Sequence, residues 1–191
     1  DLRWTLHELR LIKDADALAK MRRAAEVTQQ AHTAAMRAAR DGVKEYEIEA
    51  LLDYTFRRNG GHPGYGTIVG GGVNATILHY VDNDQPLHSG ELLLVDAGCE
   101  IDGFTADVTR TYPIGARFSP AQRRCYELVL AVEKACIAAV KPGHNIDAIH
   151  EQAVELLTRG MIDLGLLRGE VRARIEQAAY KRFYMHRTSH W

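Results

Sequence analysis

The stretch that most limits how this chain can fold is residues 92–113, LLLVDAGCEIDGFTADVTRTYP. Two apolar runs, 92–97 and 104–112, flank Asp102-Gly103. An Asp-Gly pair between strand-like runs favours a type I′ hairpin turn, in which both central residues take positive φ. A two-residue turn sets Ile101 against Phe104, Gly98 against Asp107 and Asp96 against Thr109. Because side chains alternate along a strand, Asp96, Gly98, Asp107 and Thr109 then share one face, with the two carboxylates as diagonal neighbours roughly 7–8 Å apart at Cα. Gly98 is expected to leave that patch open.

Two acids on one face of an apolar hairpin need a partner, since like charges repel and an unpaired buried carboxylate is costly. One solution is a cation: carboxylates reaching in from neighbouring strands suit a two-metal site with ions about 3.5–4 Å apart. The other is a pair of structural acids, one bonded to Thr109 and one to Arg110 or a backbone turn. The residues alone leave both open.

Charge narrows the partners. Lys and Arg number 24 against 25 Asp and Glu, a formal net charge of −1. That balance argues against a nucleic-acid or anionic-membrane partner recruited by bulk charge. No run approaches the roughly 18 apolar residues of a membrane span, and the opening DLRWTLHELR lacks the apolar core of a signal peptide. Cys99, Cys125 and Cys136 are odd in number and lack C-x-x-C spacing, so they read as reduced core thiols of a cytoplasmic protein.

Around the hairpin the chain alternates helices with short β runs. Residues 1–13 read as a linker strand arriving from a domain upstream. Asp14 is the expected N-cap of a long helix to about Arg40, with Leu18, Met21, Ala25, Thr28, Ala31, Ala35 and Ala38 inward and Asp41-Gly42 ending it. A second helix over 45–58 turns Ile48, Leu51, Leu52 and Thr55 inward and stops at Asn59-Gly60-Gly61. Strands are expected at 67–69 and 76–81, flanking Gly70-Gly71-Gly72. No Walker lysine or helix start follows these glycines, so they read as a turn or bulge where substrate nears the backbone. Ser119-Pro120-Ala121-Gln122 is a capping box with proline at the first helical position. It opens a helix burying Tyr126, Leu130, Val132, Ala135, Cys136 and Val140, closed by Lys141-Pro142-Gly143. Further helices are expected over 146–164 and 170–179, and residues 183–191 begin a β-like run.

The order contains an internal repeat. Arg40-Asp41-Gly42 leads to Ile48 and Leu52 as Lys141-Pro142-Gly143 leads to Ile149 and Ala153. In the first copy a strand with His79 and the acidic hairpin follow; the second reaches only its histidine run, so a second acidic hairpin is expected beyond Trp191. Chance similarity of two helix pairs is the competing explanation.

Of nine histidines, His7, His32, His62, His88, His144 and His150 fall on helix faces or loops. His79, His186 and His190 differ in lying within apolar, strand-like runs. A neutral imidazole binds divalent metals, and a second one nearby can hold a carbonyl or pass a proton.

Several segments together resemble a known family: Tyr65-Gly66-Thr67-Ile68-Val69, Ile77-Leu78-His79-Tyr80, Val95-Asp96-Ala97-Gly98, Asp107-Val108-Thr109-Arg110-Thr111-Tyr112-Pro113, Met185-His186 and Ser189-His190-Trp191. With the helices from Leu11 to Arg58 they are similar to Xaa-Pro aminopeptidases of the pita-bread (creatinase/methionine aminopeptidase-like) superfamily, over essentially the whole chain. The resemblance implies an α/β (α+β) pita-bread fold with an internal pseudo-twofold repeat, cut short at the C-terminus. It places a linker from a missing N-terminal domain at 1–13 and an incomplete catalytic domain at 14–191. It implies two divalent ions, Mn2+ with Co2+ or Zn2+ as alternatives, held by Asp96, a bridging Asp107 and His190. His79 and His186 would act at the substrate, and Tyr65 would lie near the pocket wall. The implied reaction removes the N-terminal residue of peptides with a penultimate proline, in a homo-oligomeric cytoplasmic parent.

Two departures stand out. The family carries two further glutamate ligands after its histidine motif, where this sequence has ended, so the chain by itself is expected to bind metal weakly and to be inactive. Arg187-Thr188 stands where the family has Gly-Leu, setting a cation near the expected ions. Alternatives are a prolidase, cleaving Xaa-Pro dipeptides on the same metals, and a metal-free pita-bread module that binds peptides or proteins. Methionine aminopeptidase fits less well, because a long linker precedes the fold.

Overall fold

The computed structural model describes residues 1–115 and 117–190. Its first element is a helix, α1 (Leu2–Leu11), rather than the expected extended linker. The Asp1 carboxylate accepts the Arg3 N–H at 3.0 Å and caps it, and Leu2, Leu6 and Leu9 fall at helical spacing. None of its residues is buried. Arg10 fastens it to the hairpin turn, donating to the Gly103 carbonyl at 3.0 Å with its guanidinium 5.1 Å from the Phe104 ring centre.

Asp14 caps α2 (Ala15–Ala38) as its position predicts, accepting the Ala17 N–H at 2.8 Å. The buried stripe is Ala24, Val27, Thr28, Ala31, His32 and Ala35. It is rotated from the expected one, so Leu18 and Met21 stay exposed and small residues meet the sheet. Gly42, at φ +79°, turns the chain into α3 (Glu45–Arg58), whose inward residues are Glu45, Ile48, Leu52 and Phe56.

Six short strands follow. β1 (His62–Pro63), β4 (Cys99–Ile101) and β5 (Phe104–Thr105) form one antiparallel sheet in the order β1-β4-β5. β2 (Ile68–Gly71), β3 (Leu92–Asp96) and β6 (Thr109–Pro113) form another in the order β2-β3-β6. Asp102 and Gly103 have φ +49° and +81°, Ile101 pairs with Phe104 and Asp96 with Thr109. The hairpin therefore has the turn and register that Asp-Gly dictates. Leu93 and Val95 face a core with Val27, Ala31, Ile48, Leu52, Phe56, Val69 and Tyr112, leaving Asp96 on the opposite face.

The expected strand at 76–81 does not form. A 3-10 helix, Gly72–Thr76, is followed by irregular chain in which His79 has φ +55°. Polar captures by α3 hold this segment, and a chain so held cannot align a ladder.

The chain divides into two compact units, 1–117 and 118–191. In the second, Ser119 and Gln122 make the expected capping box at the start of α4 (Pro120–Ala139). Val132 and Cys136 pack with Ala153, Leu157 and Met161 of α5 (Ile146–Asp163), while Val140 and the Cys125 thiol are exposed, against expectation. A short α6 (Val171–Glu176) and a 3-10 turn, Ala179–Arg182, follow. The β-like run over 183–190 is not a strand: Ser189 has φ +55°, and side-chain bonds take the place of a ladder. Trp191 lies outside the described residues. Among those described, no helix is long and apolar enough to cross a membrane.

Candidate metal centre

Asp96 ends β3 and Asp107 lies two residues before β6, so the hairpin register alone sets them on one face. Tyr65, just before β2, brings them to a point: its hydroxyl lies 2.6 Å from Asp96 Oδ1 and 3.3 Å from Asp107 Oδ1. Asp96 is half-buried and Asp107 exposed, so the pair does not sit in a dry interior. Burial, then the bond to Asp96, raises the Tyr65 pKa well above that of a free tyrosine. The phenol therefore keeps its proton and donates. One proton shared between two carboxylates neutralises neither.

Gly98 permits the approach, but not by leaving open space as the sequence suggests. A Cβ there would run into the Ala106 carbonyl and come within 3.0 Å of the Tyr65 ring. The facing strand and the tyrosine already fill the gap. From behind, α2 braces both sides of Gly98: Thr28 Oγ1 accepts the Cys99 N–H at 2.9 Å, and His32 Nε2–H donates to the Ala97 carbonyl at 3.1 Å. Desolvation lowers the His32 pKa and keeps the ring neutral.

His79 is exposed on the irregular segment after the 3-10 helix. In the second unit His186 and His190 are both exposed, with His186 Nδ1–H donating to the Arg187 carbonyl at 2.7 Å. Arg187 pairs with Asp147 of α5, which balances its charge within that unit. Thr188 donates its N–H to His150 Nδ1 at 3.2 Å and bonds the Tyr184 hydroxyl. Among the described residues no group of three or more His, Cys, Asp or Glu side chains could hold a metal ion. Tyr65, Asp96 and Asp107 are thus the expected site residues that the first unit assembles. Two carboxylates aimed at one point, oriented by a hydroxyl, offer oxygen donors that fit a hard divalent cation.

Two supporting residues escaped the sequence reading, Glu45 and His32. Each is an ionisable side chain on a buried helical stripe, and that is the sequence signal pointing to them.

A family model, metallopeptidase family M24, matches residues 19–191. The Xaa-Pro aminopeptidase of Haemophilus influenzae is 44% identical over 192 residues, spanning 100% of this chain and 45% of that protein. The structure of Pseudomonas aeruginosa aminopeptidase PepP superposes with a TM-score of 0.97 at 48% identity, covering 100% of this chain and 43% of that one. Escherichia coli aminopeptidase P with the inhibitor Pro-Leu gives 0.97 at 41% identity, covering 100% and 44%. The chain spans less than half the length of these relatives.

Proposed function

Because this chain belongs to metallopeptidase family M24 and has its pita-bread fold, we propose that it serves an Xaa-Pro aminopeptidase, removing the residue before a penultimate proline. The observation that carries the reading is the convergence of Asp96 and Asp107 on the Tyr65 hydroxyl. The names of the relatives supply the substrate class, and the Pro-Leu inhibitor of the E. coli protein supports a proline-selective pocket.

In this reading Asp96 and Asp107 would hold divalent ions, two in number by the family resemblance, and a metal-ligand role for His190 rests on that resemblance alone. Manganese is the first choice, since the carboxylates offer hard oxygen donors. The chemistry that bound ions supply is activation of water and polarisation of the scissile carbonyl. Tyr65 keeps its proton and orients both carboxylates toward one point. Substrate roles for His79 and for His186 rest on the family resemblance, and a proline ring, lacking an N–H, needs no acceptor at that position. We assign residues 14–191 to the catalytic domain and 1–13 to a linker, a division supported by a family match that starts at residue 19. A cytoplasmic location fits three cysteines without pairing spacing. A homo-oligomeric full-length protein rests on the family resemblance alone.

The test is hydrolysis by the full-length protein with added Mn2+. Release of the first residue from Xaa-Pro-Yaa tripeptides is expected, with Xaa-Ala-Yaa analogues turned over at least about 100-fold more slowly, the discrimination a built pocket provides. Equal rates on both would remove the proline selectivity, and cleavage of Xaa-Pro dipeptides alone would point to a prolidase.

A further inference from the structure

Glu45 is fully buried at the first turn of α3, and its carboxylate accepts four hydrogen bonds. Oε1 takes the Gly71 N–H at 2.8 Å and the Asn74 amide at 3.1 Å. Oε2 takes the Tyr80 hydroxyl at 2.7 Å and the Gln85 N–H at 3.0 Å. All four donors come from one segment, 71–85, and they span it: two backbone groups at its ends and two side chains between. The Glu45 N–H in turn donates to the Gln85 carbonyl at 3.0 Å. Four donors fill the lone-pair sites of a carboxylate, so every position on this acid is committed to the shape of one loop.

That loop carries His79, next to Tyr80. His79 has φ +55°, a left-handed conformation that costs a non-glycine residue energy and persists only where its surroundings over-determine it. Its side chain is exposed and lies among the exposed apolar residues Ile77, Leu78 and Val81. The segment therefore buries its polar anchors under α3 and presents an imidazole outward on a strained backbone. Asn83 adds a second pin, accepting the Val69 N–H and donating to Glu49 Oε2, each at 2.9 Å.

We infer that Glu45 is a positioning residue for His79, acting through the 71–85 loop and touching neither metal nor substrate. The inference rests on the proposed role of His79 at the substrate. A glutamine at this position keeps the volume but turns an NH2 group toward donors, leaving a buried pair unsatisfied. A Tyr80→Phe change removes a single donor and gives a milder version of the same defect.

The experiment has two readouts. In hydrogen exchange on this chain, Glu45→Gln is expected to speed exchange of the amides of residues 71–85 by tenfold or more while α2 and α5 keep their protection, with Tyr80→Phe showing a smaller change of the same pattern. In kinetics of the full-length protein, Glu45→Gln is expected to lower kcat/KM for an Xaa-Pro tripeptide by about tenfold with Mn2+ affinity unchanged, and to add nothing in a His79→Ala background. Exchange that stays slow at 71–85 overturns the anchoring role and leaves the peptidase reading intact. A loss equally large in both backgrounds overturns the coupling to His79. If His79→Ala itself leaves kcat/KM unchanged, the substrate role of His79 fails and the inference falls with it. Simple destabilisation would instead lower the active fraction with KM unchanged, and that outcome also contradicts the inference.

Discussion

Replacing Asp107 by asparagine is expected to weaken Mn2+ binding by more than about 100-fold, beyond the range that loss of a supporting partner produces. The full-length protein should lose kcat/KM for Xaa-Pro peptides at least in proportion. The side chain is exposed and the substitution keeps its shape, so stability should change by no more than about 0.5 kcal/mol. An amide oxygen can still accept from the Tyr65 hydroxyl, so that bond need not break. What disappears is one of two negative charges at a single point, and a divalent ion responds to that difference above all. Calorimetric Mn2+ titration beside a melting curve separates the two effects. Unchanged affinity with unchanged stability would reduce Asp107 to a solvated acid on a hairpin.

Gly98→Ala is expected to give the largest structural effect of any single methyl group at the site. The backbone φ at Gly98 is not in the left-handed region, so the requirement is for space. The added carbon would meet the Ala106 carbonyl and the Tyr65 ring, and a backbone carbonyl in a hairpin cannot swing aside as a flexible side chain does. The strands must part, at a cost of about 2–3 kcal/mol, and Tyr65 must leave its 2.6 Å bond to Asp96. Melting should fall by roughly 8–12 °C for a unit of this size, and Mn2+ affinity should fall with it. Gly103→Ala provides the contrast. Nothing stands within 4 Å of a Cβ there, and only the positive φ opposes it, at about 1 kcal/mol. Equal effects of the two substitutions would show that crowding at Gly98 is not what keeps it glycine.

Legibility in the sequence followed the range of the forces involved. Asp102-Gly103 fixes its own turn, and a fixed turn fixes register, so the pairing of Asp96 with Thr109 could be counted outward without knowing anything else. The caps at Asp14 and Ser119 are likewise local, and both helices start where those residues demand. The strands expected around His79 and His186 do not form because the β-branched run before one and the aromatic run before the other state a preference that needs a partner edge. Glu45 captures the first segment from 26 or more residues away, and His150 takes hold of Thr188 from 38. No window of ten residues contains either acceptor. The leucines of α1 show the opposite case: their helical spacing is local and present in the sequence, beneath an alternation of charge that reads as extended chain. At the site, the two aspartates were found from alternation alone. That one phenol would reach both of them depends on where β2 starts relative to β3, which local patterns do not encode.

In the proposed metal centre Asp96 and Asp107 are turned to a common point that a divalent ion occupies. That occupancy is tested most directly by crystals of the full-length protein grown with Mn2+ and measured at the manganese edge. An anomalous peak is expected within about 2.0–2.4 Å of an oxygen from each aspartate. A map without a peak at that point, at Mn2+ concentrations that support turnover, would contradict it.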